Sequence, residues 1–161
     1  MQVEIDALYK SKIEKKLVDG LNIEWQFKIM ESLDTVENAE PQIEACITKI
    51  KSFYNFKDAS WQNALKLAYV FTRGKDYKFS STMLEPFLKV ENVDERLLFS
   101  YISIASHLPE KFYSRTFNEA LHKAKEKNPE RYCELFGDPK MSFQVLGNPN
   151  AKRDYRDAGC K

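Results

Sequence analysis

Few residues in the chain could do chemistry, and their spacing limits what that chemistry could be. Two histidines occur, His107 and His122. Glu119-Ala-Leu-His122 sets a carboxylate and an imidazole three residues apart, on one face of a helix. A carboxylate-bridged metal bundle needs two such motifs and further inward acids. With one copy here, the expectation is a surface Glu–His pair and no metal site. The three cysteines, Cys46, Cys133 and Cys160, are odd in number and form no CxxC pair. Three reduced thiols are therefore expected.

A Cys–His nucleophile pair would have to meet in space, and no nucleophile signature surrounds any cysteine. The glycines are singletons, so no Gly-rich phosphate loop exists. HExxH and GxSxG are absent as well. No enzyme activity and no cofactor are expected. A pocket joining His107 or His122 to a carboxylate and Cys133 would reverse that.

Binding chemistry is better represented than catalysis. Arg73, Lys75, Tyr77 and Lys78 interleave cations with aromatic rings beside Gly74. Rings stack on bases and cations neutralise phosphate, so this mixture suits single-stranded nucleic acid. It equally suits a helix end, where cations favour the dipole and rings fill core. A second basic group holds Lys111 and Arg115 with Lys123, Lys125 and Lys127. A third holds Lys152, Arg153 and Arg156, interrupted by Asp154 and Asp157. The candidate partner- or nucleic-acid-binding set is Arg73, Lys75, Tyr77, Lys78, Lys111, Arg115, Lys152, Arg153 and Arg156.

The formal net charge is +1, which provides no global field for nucleic acid or an anionic membrane. Charge is uneven all the same. Glu24 to Ile47 holds six acids against one base, and Lys111 to Lys161 holds eleven bases against seven acids. An acidic region and a basic region suit docking on a charged protein partner or on a second copy.

Helical spacing dominates the elements that must position these residues. Ile5, Leu8, Ile13 and Leu17 form a first stripe, stopped at Gly20. Asn22 caps a second helix carrying Trp25, Ile29, Met30 and Leu33, and Pro41 opens a third. Asp58 or Ser60 starts a fourth, which Gly74 stops. Thr82 to Glu85 reads as a capping box before Pro86, and Asn92 to Glu95 as another. Pro109 separates two further helices. Asn128-Pro129 starts a last one, closed by Gly137. Beyond it, Pro139, Gly147, Pro149 and Gly159 point to irregular chain.

The expected fold is all-α: a compact bundle of about six to eight short antiparallel helices, or stacked helical hairpins, with an irregular C-terminal extension. The expected domains are 1–137, helical, and 138–161, an irregular segment ordered by what it touches. No run of about 18 apolar residues exists, and Met1 to Asp6 lacks the basic start of a secretory leader. A cytoplasmic, reducing setting with no membrane contact is the expectation. The leading function is a non-catalytic helical protein-interaction module: an adaptor, an inhibitor or a small subunit of a larger assembly. The alternative is a nucleic-acid-associated protein using the Arg73–Lys78 loop.

Overall fold

The computed structural model describes residues 25, 28–33, 36–53, 60–139 and 141–160. The first stripe, its stop at Gly20, the cap at Asn22 and the start at Asp58 lie outside these residues. Among the described residues every regular element is helical and no strand occurs. None of these helices is long and apolar enough to cross a membrane. The chain divides into two compact units, residues 1–59 and 60–161.

In the first unit, residues 28–33 are helical, with Met30 buried and Ile29 at the surface. Asn38 turns the chain at φ 58, a left-handed conformation that Asn tolerates. Helix α1, Glu40–Phe53, follows. Pro41 lies in its first turn, where a missing N–H costs nothing. Cys46, Ile47 and Ile50 form its buried stripe.

The second unit is built on five helices in succession. Helix α2, Trp61–Arg73, is capped by Ser60, whose hydroxyl accepts from the Asn63 N–H. Helix α3, Tyr77–Leu84, runs into a 3-10 turn, Glu85–Lys89, that Pro86 helps to start. Helix α4, Glu95–Ala105, is capped by Asp94. A short 3-10 turn, Pro109–Lys111, leads to α5, Arg115–Lys127, capped by Ser114. Helix α6, Pro129–Leu135, is capped by Asn128. Each helix packs on the next in order, α2 on α3, α3 on α4, α4 on α5 and α5 on α6.

α4 is the buried centre: eight of its eleven residues are buried, as expected of a helix that is apolar nearly all round. Phe71, Phe112 and Phe117 close around it without exposure. Full burial of such a ring stabilises by about 1.5–3 kcal/mol. Ser80 and Ser81 are small enough to sit in the core. Ser80 Oγ donates to the Ala68 carbonyl at 3.0 Å, so its burial carries little penalty.

Several expectations need correction. Thr82 does not cap a helix, because Asp76 already accepts from the Phe79 N–H at 3.2 Å and starts α3 at Tyr77. The supposed Arg73–Lys78 loop is therefore a turn of Gly74 to Asp76, with Arg73 on α2 and Tyr77 and Lys78 on α3. Gly74 does stop α2, as its C-cap, and Lys75 after it carries a left-handed φ of 58.

Cys133 and Cys160 are not reduced thiols: they form a disulfide with Cα atoms 5.3 Å apart. Their 27-residue separation conceals the pairing. Cys46 remains a free, buried thiol, and burial pushes its pKa up.

The stretch after Gly137 is regular rather than irregular. A π turn, Met141–Val145, buries Met141 and Val145. Helix α7, Pro149–Asp157, is capped by Asn148, which accepts from the Asn150 N–H at 3.0 Å. Asn148-Pro149 repeats the cap-and-proline start of Asn128-Pro129. Gly159 then turns the chain at φ 75 and brings Cys160 to Cys133.

Candidate functional site

α7 lies along α5 in the same sense, with Asn148 beside Asn118 and Asp154 beside His122. Asn148 Nδ2 donates to Asn118 Oδ1 at 3.2 Å, and His122 Nδ1 lies 3.1 Å from Asp154 Oδ2. The two helices form an open groove of about 630 Å³. From α5 it is lined by Arg115, Asn118, Glu119, Leu121, His122, Lys123 and Lys125. From α7 it is lined by Asn150, Ala151, Arg153, Asp154 and Asp157. Leu121 and Ala151 are the apolar members of that lining, and the other side chains bring charged or polar heads on apolar stems.

The charges in the groove are ordered. Arg115 Nε donates to Glu119 Oε1 at 2.7 Å, one helical turn on. That contact holds the Glu119 carboxyl below the usual carboxylate range. The Glu119–His122 surface pair expected from the ExxH spacing therefore does not form. Each residue takes another partner, and His122 reaches across to α7. Asp154 is well covered and also faces Lys125 Nζ at 3.7 Å. Lys123 Nζ turns away, donating to the Leu88 carbonyl at 2.8 Å and the Val90 carbonyl at 3.1 Å. It closes the 3-10 turn, whose last carbonyls lack helical partners. Arg153 donates to Asn150 Oδ1 at 2.8 Å.

Arg115 and Glu119 also border a smaller recess of about 310 Å³ with Lys89 and Thr116. The exposed face of α5 is thus flanked by a hollow on each side.

The basic residues expected to bind divide between several places. Arg115 and Arg153 meet in the groove, while Lys152 and Arg156 are exposed on α7. Lys111 is committed elsewhere. Its Nζ donates to Glu85 Oε1 at 2.7 Å, and the buried Tyr101 hydroxyl donates to the same oxygen at 3.2 Å. Arg73, Lys75 and Lys78 are exposed around the α2–α3 turn. Tyr77 stacks on His107 with centroids 4.1 Å apart and planes 11° from parallel. Beside that pair a hollow of about 210 Å³ is lined by Tyr69, Thr72, Ser103 and Ile104.

The His122–Asp154 contact resembles part of a catalytic relay, but its third member is not Cys133. That sulfur is bonded to Cys160. Among the described residues no three His, Cys, Asp or Glu side chains gather as a metal site requires. Large exposed apolar side chains in the second unit lie on separate elements: Tyr69 on α2, Val90 after the 3-10 turn and Tyr113 before α5.

Asp154, Asn118 and Asn150 are site residues that sequence reasoning missed, and His122 was given the wrong carboxylate partner. The second Asn-Pro start, at Asn148, was the signal that could have put Asp154 on a helix and so within reach of another helix. Compared with known protein families, curated proteins and solved structures, the chain matches none.

Proposed function

We propose that the chain is a non-catalytic helical protein-interaction module whose second unit receives a hydrophilic segment of a partner protein in the α5–α7 groove. The observation that carries this reading is the groove itself, an open channel with Arg115 and Arg153 on facing helices. Two guanidiniums across a channel suit carboxylates on a polypeptide, which they can engage through paired N–H donors. Charged groups of both signs along the walls favour specificity and rate of association. The partner is thus read as a protein presenting acidic side chains rather than an apolar helix.

The test uses the oxidised full chain as bait and a charge-reversed Arg115→Glu/Arg153→Glu variant beside it. A partner retained by the first and lost by the second, with unchanged circular dichroism, supports the reading. Equal retention by both counts against it.

A second reading, nucleic-acid binding, is favoured by the Tyr77–His107 stack with exposed Lys75 and Lys78 beside it. Lys111 is engaged with Glu85, which leaves this surface one cation fewer to give. An electrophoretic shift with single-stranded probes at low salt tests it, since phosphate binding is strongest there.

The disulfide bears on the compartment. Such bridges persist in oxidising settings and are reduced in the cytosol. A cytoplasmic protein would hold Cys133–Cys160 open much of the time.

A further inference from the structure

A disulfide, a hydrophilic helix and a buried hydroxyl meet at one seam. α7 has nine residues, too few to remain helical alone in water. Ala151 is its buried member. Its ties to the rest of the unit include the polar contacts of Asp154 with His122 and Lys125, and Tyr155 edge-on to Phe136 at 5.1 Å. Contacts of that polar kind are individually weak.

The seam beneath is imperfect. Tyr132 on α6 is 0% exposed, and its hydroxyl makes no hydrogen bond among the described residues. Its ring meets Phe136, which in turn meets Tyr155 of α7. Covering this hydroxyl without giving it a partner opposes docking. Cys133 follows Tyr132 on α6, and Cys160 follows α7. Their bond therefore keeps α7 at high effective concentration against α5.

We infer that the Cys133–Cys160 bridge is a redox latch on α7, so that reduction by a dithiol releases Pro149–Asp157 from α5 and removes one wall of the groove. A thiolate of the dithiol attacks one bridge sulfur and the Cys133–Cys160 bond breaks. The second thiol of the reductant then attacks the mixed disulfide, whose S–S bond to the protein breaks and releases the remaining cysteine as a thiolate. Two electrons pass to the protein, both cysteines end protonated, and the dithiol leaves as its own disulfide. Both cysteines are partly exposed, so a reductant can reach them. The body from α2 to α6 has its own centre at α4 and stays folded.

This names the regulation of the proposed groove and rests on that reading for its meaning, but α7 release is measured without any partner. Hydrogen–deuterium exchange is followed on the full chain, oxidised, treated with dithiothreitol, and as Cys133→Ser and Cys160→Ser. Exchange over 149–157 is expected to quicken roughly tenfold or more on reduction and in both variants, while 95–105 keeps its protection. Trypsin should then cut after Arg153 and Arg156. Unchanged protection of 149–157 would overturn the latch. So would loss of protection over 95–105 alongside it, which makes the bridge a staple of the whole unit. Free thiols at both positions in the oxidised protein would also overturn it. Failure of the oxidised chain to bind a partner would count against the groove reading alone.

Discussion

His122 on α5 and Asp154 on α7 meet at 3.1 Å across 32 residues of sequence. Asp154 is the better covered of the two, its side chain 15% exposed against 58% for His122. The contact fixes the register of α7 along α5 and so the shape of the groove between them.

Asp154→Asn should therefore loosen α7 with little effect on the rest of the unit. The expected loss is about 0.5–1 kcal/mol, typical of partly exposed pairs. A double-mutant cycle with His122→Ala reads the coupling by urea unfolding. Additive losses would show that the contact carries no energy.

Much of the α2–α6 body was legible in the sequence, and the groove was not. Asn128, Pro129 and Gly137 marked α6 because a cap, a proline and a stop bracket an apolar stripe. Asn148 and Pro149 carry the same opening, but the residues after them are almost all hydrophilic. Hydrophobic periodicity has nothing to report on such a helix. Its order comes from a disulfide and from side chains about 30 residues away, and neither is visible in local spacing. Tyr77 was misplaced for a different reason. Thr82 and Glu85 mimic a capping box, while the working cap, Asp76, sits in a turn that reads as loop.

Tyr101 and Tyr132 are both buried and should respond oppositely to loss of the hydroxyl. Tyr101 donates to Glu85 at 3.2 Å, whereas the Tyr132 hydroxyl makes no hydrogen bond among the described residues. Tyr101→Phe should cost about 1.5–3 kcal/mol, as for a bond to a charged group. Tyr132→Phe should be neutral or stabilising, within about 1 kcal/mol. Urea unfolding at neutral pH compares them. A Tyr132→Phe loss as large as that of Tyr101→Phe would contradict the description of the seam.

The same two residues set an alkaline limit. Burial holds both phenols protonated beyond the ordinary tyrosine range, helped by Glu85 at Tyr101 and by Asp154 and Tyr155 at Tyr132. The folded state thus binds these protons more tightly than the unfolded chain. Their contribution is fully present below the unfolded value of about 10 and is lost as pH rises above it. Stability measured from pH 9 to 11 should fall, and the fall should be shallower in either Phe variant.

Asn128 ends α5 and begins α6, and its side chain serves both α6 and α4. Oδ1 accepts from the Arg131 N–H at 3.0 Å, and Nδ2 donates to Glu95 Oε1 at 2.9 Å. Asn128→Ala should cost about 1–2 kcal/mol, with Asn128→Asp recovering the cap but not the bond to Glu95. Chemical denaturation of the three proteins checks the order.

The most direct test of the groove is photo-crosslinking from within it. A photoreactive residue replaces Asn150 on α7 in one oxidised full-length protein and the exposed Gln62 on α2 in another. Each is exposed to an extract of the native host and irradiated. One protein with an acidic segment should be crosslinked from position 150 and not from 62. Arg115→Glu/Arg153→Glu should abolish that crosslink. Crosslinking of the same protein from 62 alone, or a crosslink from 150 that survives the charge reversal, would contradict the groove reading.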